Sequence, residues 1–427
     1  MSREVVRVGI DDTDSKRTMC TTYVGCRALR ALELLGCVRV GDPVLVRLNP
    51  NCPYKTRGNA AVGFSVKLGR ITVESAIGVV SEVVRELADL DDEGTDPGIV
   101  FMPYGVMERL RDFYLRTLRE LVDIDEAMRL CDEYALAYKY FKEGRGLIGA
   151  LSATSVDESH LLTYELLAYR ERGNWGRPRR VSPDSVIRMD QSTRPYTFDN
   201  YDYEKRSVRL TPHTPCPVLV GIRGTSREVL KGALQMIEID ERVDFWEIFA
   251  TNQATDIHYV ESRVSEVRHG VSASVRGVVV GKPYVERGGH VFAKITDYTG
   301  HLTLAAYEPT LSFRRVVCSL LPGDEVVAFG AIKHKPQGIT MNLEKLLILR
   351  LAEIVTVRPP ICGTCGKRGE SAGFGKGYRC RRCGIRLGGT PEIEVIERDL
   401  RPGMYEVAVS ARRHLVRPLG LALASHD

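Results

Sequence analysis

The stretch Val5-Val-Arg-Val-Gly-Ile10-Asp11-Asp12-Thr13-Asp14-Ser15, with Met19-Cys-Thr21-Thr22-Tyr23 close behind, decides how the first half of the chain is read. Val5 to Ile10 is an apolar run of strand length. Asp11, Asp12 and Asp14 then crowd three carboxylates onto one loop. From Thr21 to Leu35 apolar residues recur at helical spacing, at Val24, Ala28, Leu32 and Leu35. A loop leaving a strand's carboxyl end is where such sheets place their chemistry. Hard carboxylate oxygens suit a Mg²⁺-bound nucleotide. The free N–H groups and positive dipole end of the helix suit phosphate, and a threonine hydroxyl there is placed to accept a phosphoryl group. A solvated Asp/Ser turn with a capping threonine accounts for the same spacing equally well.

Working outward, Pro43–Leu48 and Ala60–Leu68 read as strands, Thr72–Leu90 as a helix and Gly98–Met102 as a strand. The order βαββαβ predicts an α+β sheet with helices on one face. Lys55-Thr56-Arg57-Gly58-Asn59 puts two cations and a glycine between two strands, and Asp91-Asp92 opens a second acidic loop. No Walker A or kinase catalytic-loop pattern is present, so any ATP site here uses an unusual fold. Val106–Ala168 reads as mostly helical, broken at Gly144-Arg145-Gly146, and Glu171–Tyr203 as irregular. Strands at Cys216–Ile222 and Trp246–Thr251 around a helix at Ser226–Ile239 make a second α+β unit.

Ser272–Leu349 changes character, with Val-rich strands separated by Gly288-Gly289, Tyr298-Thr299-Gly300 and Pro322-Gly323-Asp324. Five strands and one helical insert, Pro309–Leu321, fit an OB-fold β-barrel, whose face binds splayed nucleic acid through cations and aromatics such as Tyr284, Phe292, Tyr298, Tyr307 and Phe313. About half of these aromatics are expected in the core. Cys362-Gly-Thr-Cys365 and Cys380-Arg-Arg-Cys383 are two knuckles fourteen residues apart. That spacing is a structural Zn²⁺ site with all four positions filled by thiolates. Gly366 and Gly384 supply the positive φ each knuckle needs. Arg379, Arg381 and Arg382 make the ribbon basic, and Arg412 and Arg413 do the same for the tail, as RNA contacts require.

The 427 residues imply three or four domains, and a net charge of +5 is compatible with an RNA partner. Eleven cysteines, an odd number paired only in the knuckles, point to a reducing cytoplasm. Arg3, Glu4 and Arg7 interrupt any signal-like start, and no apolar run of membrane length is present. Nothing in the sequence requires an oligomer.

Several segments match one family together: Val8–Ser15, Met19–Tyr23, Pro53-Tyr-Lys-Thr-Arg-Gly-Asn59, Gly144-Arg-Gly-Leu-Ile-Gly-Ala-Leu151, Thr214-Pro-Cys-Pro-Val-Leu219, Gly288-Gly-His-Val-Phe292 and Ser410-Ala-Arg-Arg-His-Leu415. Through them the chain resembles the archaeal agmatidine (2-agmatinylcytidine) synthetases over nearly its whole length. The resemblance implies a multidomain α+β protein: a kinase-like ATP-using domain at 1–130, a ferredoxin-like domain at 131–265, an OB-fold at 270–352, a zinc ribbon at 355–395 and a basic tail at 396–427. It implies attachment of agmatine to C2 of the wobble cytidine in the CAU anticodon of an isoleucine tRNA, so that the base pairs with A rather than G. ATP is consumed to AMP and phosphate. The family's kinase domain phosphorylates both the cytidine and one of its own threonines, which maps to Thr21, with Thr18 and Thr22 as rivals.

On that basis Asp11, Asp12 and Asp14 are the Mg²⁺ and acid/base candidates. Lys55, Thr56, Arg57, Gly58, Asn59, Asp91 and Asp92 are the ATP and phosphate candidates. Asp199 and Asp256 are candidates for the agmatine guanidinium, with His258 or Asp256 near the reacting centre and Cys216 a packing residue. Two other classes compete. One is a non-catalytic OB-fold and zinc-ribbon protein binding RNA or single-stranded DNA, which would have no use for the acidic loop. The other is a lysine-adding wobble-cytidine ligase, whose pyrophosphatase-type loop is absent.

Overall fold

A computed structural model describes residues 5–336, 338–388 and 390–422, so the last five residues of the expected basic tail lie outside the described residues. Strand β1 (Val5–Asp11) runs through the acidic loop into α1 (Thr21–Leu34). Then come β2 (Val38–Arg47), β3 (Ala60–Lys67), α2 (Val73–Leu87) and β4 (Gly98–Pro103), in the order expected. Helices α3 (Arg111–Arg119) and α4 (Ile124–Tyr134), strand β5 (Ala137–Tyr140) and helix α5 (Gly146–Thr154) follow. The next stretch holds β6 (Thr163–Arg170), α6 (Pro183–Thr193), β7 (Thr197–Phe198), the small hairpin β8 (Tyr201–Asp202) and β9 (Ser207–Val208), β10 (Val218–Gly224), α7 (Arg227–Met236) and β11 (Val243–Thr251).

These two halves share one nine-stranded sheet, ordered β5-β4-β1-β3-β2-β11-β6-β10-β7. The seam is a short parallel pairing of β11 with β2, Ala250 opposite Val44 and Thr251 opposite Leu45. β5 pairs with β4, and α5 lies across β1, β3 and β4, although a division at 131 would give both to the second unit.

The expectation of helices on one face is overturned. On β4, Ile99 and Phe101 join Val24, Leu32 and Val80 of α1 and α2 in one core, while Val100 and Met102 face Phe113, Leu147 and Leu151 in another. A continuous apolar run such as Gly98-Ile-Val-Phe-Met is the pattern of a strand buried on both sides. On the second face α5 approaches the sheet backbone to backbone. A β-carbon on Gly9 would lie 2.0 Å from the Ala150 carbonyl oxygen, and one on Gly98 2.2 Å from the Leu147 nitrogen. That contact is what the glycine-rich 144–151 motif serves.

Two further expectations are corrected. Thr163–Ala168 is not helical but part of β6, hydrogen-bonded to both β11 and β10 and largely buried. Its apolar and aromatic residues fit either period, and the two partner strands decide. The stretch read as irregular contains α6, whose start carries a plain signal: Ser182 caps Ser185 N–H, and Pro183 occupies the first turn.

The second sheet comprises β12 (Tyr259–Glu261), β13 (Ser272–Val279), β14 (Tyr284–Glu286), β15 (His290–Thr296), β16 (His301–Ala306), β17 (Glu325–Lys335) and β18 (Gly338–Arg350), with α8 (Phe313–Cys318) between the third and fourth long strands. β13 pairs with both β15 and β17, β15 with β16, β16 in parallel with β18, and β18 with β17, which closes a five-stranded barrel. This is the connectivity expected of an OB-fold. Phe292 and Phe313 are core, whereas Tyr284 and Tyr298 are exposed.

Strands β19 (Ile354–Arg358), β20 (Glu370–Ser371), β21 (Tyr378–Arg379), β22 (Arg386–Leu387) and β23 (Glu392–Ile396) build the ribbon, with β19 and β23 paired as its arm. β24 (Gly403–Glu406) then returns to the barrel against β18. The chain continues back to the first sheet, where Ala254 N–H donates to the His414 carbonyl and Asp256 N–H to that of Leu415, both at 2.9 Å. Among the described residues no helix is long and apolar enough to cross a membrane.

Candidate active site and zinc centre

The end of β1 sets three carboxylates side by side. Asp12 sits at φ 57°, which a short polar side chain tolerates, but Met19 at φ 67° is strained. Arg57 holds the loop in that shape: Nη1 donates to the Met19 carbonyl at 2.7 Å, and Nη2 to those of Ser15 at 2.6 Å and Thr18 at 3.1 Å. Its Nε lies 3.4 Å from Asp14. Arg57 is thus occupied in shaping the acidic loop.

Burial raises all three carboxyls. Asp11 is pushed well above the usual carboxylate range by desolvation and by Asp12. Desolvation lifts Asp12 to about 7 against the pull of Arg145, and raises Asp14 against Arg57 and Thr56. Thr21 begins α1 with its side chain buried. Its hydroxyl donates to Asp14 Oδ1 at 3.5 Å and lies 3.2 Å from that of Thr13. Thr22 turns toward the Cys20 sulfur, 3.1 Å away.

A cavity of about 730 Å³ opens over this loop, between the two halves of the long sheet. Asp11, Asp12, Asp14 and Thr21 line it, as do Lys55, Thr56, Arg57, Gly58 and Asn59. Thr22 also reaches it, while Thr18 does not. The other expected residues fall outside the lining. Asp91 is exposed. Asp92 accepts from Gly94 N–H at 2.9 Å and faces Arg17 at 3.6 Å. Asp199 is buried against Arg412. Asp256 meets Lys345 Nζ at 2.5 Å and accepts from Arg417 N–H at 2.8 Å. Each of these last two is already paired with a cation, and neither lines the cavity. His258 is buried away from the cavity, 3.6 Å from Glu344. Cys216 lines the wall, with an Arg179 guanidinium nitrogen 3.4 Å from its sulfur.

Several cavity residues carried no expected role, among them Arg145, Glu165 and His414, with Arg47 and Arg223. Arg145 lies 3.8 Å from Asp12 and 2.9 Å from Asp96, over the Tyr54 ring. Its signal was its place between two glycines. Glu165 is fully buried on β6, 2.9 Å from Arg47, 3.2 Å from Arg223 and 2.6 Å from Gln253 Nε2. Burial alone would raise its carboxyl, but Arg223 and Arg47 hold it below its ordinary value. A charge inside an apolar run was the available clue. His414 arrives from the far end of the chain, inside the family-matching run Ser410–Leu415 but with no role legible from it.

A β-carbon on Gly149 would lie 1.8 Å from Asp11 Oδ2. Gly149→Ala is therefore expected to displace that carboxylate and cut kcat at least about a hundredfold, with a melting temperature within a few degrees of wild type. Steady-state kinetics beside a thermal melt checks this.

At the other end of the molecule the sulfurs of Cys362, Cys365, Cys380 and Cys383 all lie within 4.8 Å of one another. Gly366 and Gly384 take φ of 68° and 72°, as expected, and their N–H groups return to the carbonyls of Cys362 and Cys380. The set fits tetrahedral Zn²⁺. Arg379, Arg381 and Arg382 are exposed on this ribbon. Arg412 is not a surface cation: its side chain is 6% exposed and paired with Asp199 and Glu406. Arg413 is part-buried, 3.0 Å from Glu344. Cys362→Ser is expected to abolish zinc binding by the ribbon and expose 359–388 to protease, measured by metal analysis and limited proteolysis.

Three family models match the chain: the TiaS TCKD domain at residues 7–81, the TiaS FLD domain at 144–258 and the TiaS C-terminal zinc ribbon domain at 359–400. The isoleucine-tRNA 2-agmatinylcytidine synthetase TiaS of Archaeoglobus fulgidus is 45% identical over 416 residues, 97% of each chain. That of Thermococcus sibiricus is 40% identical, over 99% of this chain and 97% of its own. A solved structure described as a complex of TiaS with its isoleucine tRNA and ATP is 42% identical, with a TM-score of 0.88 over 99% of both chains. One described as a complex of TiaS with the same tRNA, AMPCPP and agmatine is 41% identical, with a TM-score of 0.84 over 97% of both. Matched over nearly its whole length by relatives 40–45% identical, the chain belongs to the isoleucine-tRNA 2-agmatinylcytidine synthetase (TiaS) family.

Proposed function

We propose that this protein uses ATP to join agmatine to C2 of the wobble cytidine in the CAU anticodon of an isoleucine tRNA, releasing AMP and phosphate. The observation that carries this reading is one cavity lined by three desolvated carboxylates, a threonine hydroxyl at a helix start and a set of arginines. Relatives solved with the isoleucine tRNA, ATP and agmatine support the substrate set.

The C2 oxygen of cytosine is a poor leaving group until it carries a phosphoryl group. The primary amine of agmatine then bonds to C2 and gives up a proton, and the C2–O bond breaks with the oxygen departing on phosphate. Hydrolysis of the β-phosphate of the remaining ADP by water completes the release of AMP and a second phosphate. The base must first leave the anticodon stack, at a cost of roughly a few kcal/mol, and the exposed cations of the ribbon offset it by holding the tRNA. Asp11, Asp12 and Asp14 fit Mg²⁺, because crowded, buried carboxylates with raised pKa gain most from a hard cation. Bound there, the ion would neutralise the phosphates of ATP. Thr21, beside Asp14, is the self-phosphorylated residue. Glu120, which lines the cavity and has no ion-pair partner among the described residues, is the carboxylate left for the agmatine guanidinium, while Glu165 holds Arg47 and Arg223 in place.

AMP release is expected to require both tRNA and agmatine. AMP formed without tRNA, or ADP as the sole end product, would overturn the reading. After incubation with γ-labelled ATP the Thr21 peptide is expected to carry label, and an unlabelled Thr21 peptide would sink the acceptor assignment.

A further inference from the structure

A smaller cavity of about 190 Å³ adjoins the large one and shares Arg47, Leu48, Lys55, Gly58 and His414 with it. Arg412 and Arg413 complete its polar lining, which contains no carboxylate. The arginines are tethered from behind: Arg47 by Glu165, Arg412 by Asp199 and Glu406, Arg413 by Glu344. Lys55 only donates to the Pro50 carbonyl, and His414 has no acidic partner among the described residues.

The geometry over Gly58 is specific. A β-carbon there would sit 2.9 Å from Arg47 Nη1 and 3.1 Å from His414 Nε2. Two nitrogens therefore converge on a point that only glycine leaves open, and neither is hydrogen-bonded to another described residue. Arg47 Nε is buried without a partner as well. Burial, with Arg47, Arg223 and Lys55 nearby, drives the His414 pKa well below its ordinary value. Such a cluster lacks one thing, a compact anion with several acceptor oxygens.

We propose that Arg47, Lys55 and His414 form a phosphate-binding subsite at the floor of the catalytic cavity, completed by the C-terminal tail. The subsite rests on the proposed function in its role but not in its chemistry. The tail enters it just after β24, which pairs with β18 of the barrel, so residues that follow the barrel and ribbon supply part of the cavity floor. The ligand is a phosphate, from one of two sources. A phosphoryl group leaving the cytidine, or the orthophosphate it becomes, would be a monoester or free anion. A backbone phosphate of the anticodon loop would be a diester.

The test is histidine-selective NMR of the full-length wild-type protein, with the His414 ring signal assigned by its loss in His414→Gln. Sodium orthophosphate is titrated in without ATP or tRNA, and separately an unmodified anticodon stem-loop is added. A shift with orthophosphate supports the free or monoester source, and a shift with the stem-loop alone supports the diester source. In either case His414→Gln and Arg47→Lys are expected to lower kcat about tenfold to a hundredfold, with KM for agmatine within about twofold. No shift with either ligand, in wild type that is folded and binds tRNA, overturns the subsite. A shift in a protein that forms no agmatine conjugate leaves the subsite standing and removes the proposed function instead.

Discussion

Asp12→Asn is expected to lower agmatine conjugation at least about a thousandfold while making the cation-free protein more stable at pH 8. Both effects come from one fact, that burial lifts this carboxyl to about 7 in the fold. In the unfolded chain an aspartate titrates near 4. As pH rises from about 4 to 7 the unfolded state releases this proton first, so the native state loses stability through that window and carries the full penalty above 7. A neutral amide removes the penalty, a gain of roughly 1–3 kcal/mol once Arg145 and partial solvent access are allowed for. Melts of wild type and variant at pH 5 and pH 8 check the sign. The variant should melt higher at pH 8, and the gap should narrow at pH 5. Added Mg²⁺ should raise the wild-type melting temperature far more than that of the variant. A variant that melts lower at pH 8, or gains as much from Mg²⁺, would show that the three carboxylates are not a poised cation site.

The second large effect concerns Arg412. Its guanidinium is buried between Asp199 and Glu406, and burial already raises Glu406. Arg412→Ala leaves Glu406 unpaired and Asp199 with only Arg223, 4.0 Å away, at an expected cost of about 3–5 kcal/mol. Chemical denaturation should show that loss, while the tRNA affinity of the folded fraction stays within about twofold. Arg381→Ala and Arg382→Ala should behave oppositely, with unchanged stability, weaker tRNA binding and a salt dependence reduced by about one ion each. A normal melt and reduced tRNA affinity in Arg412→Ala would return it to the RNA-contact role its position in a basic tail first indicated.

The difference between those arginines shows where sequence stops informing. Cys362 to Cys383 were legible because zinc coordination is local: four ligands, two short spacings and two glycines suffice. The acidic loop was legible for the same reason, since β1, the carboxylates and the start of α1 are consecutive in the chain. Lys55 to Asn59 reached the same cavity from a neighbouring hairpin. Asp199 and Asp256 stand out by residue type alone, and their cations, Arg412 and Lys345, lie far away in sequence. No window could pair them. Likewise β6 looked helical because its partners are β11 and β10, both distant in sequence, and pairing rather than propensity set its state. The barrel strands were readable from their turns, since Gly288, Gly289, Tyr298 and Gly323 all adopt positive φ. The continuity of the long sheet through β2 and β11 left no trace in either strand.

The most direct measurement is the mass of the nucleosides released from an isoleucine tRNA transcript with a CAU anticodon, after incubation with this protein, ATP and agmatine. The expected result is a cytidine derivative heavier by agmatine less water, present with wild type and absent with Asp12→Asn. Cytidine of unchanged mass, from a folded protein that binds both zinc and the tRNA, would contradict the conjugation of agmatine to the wobble base.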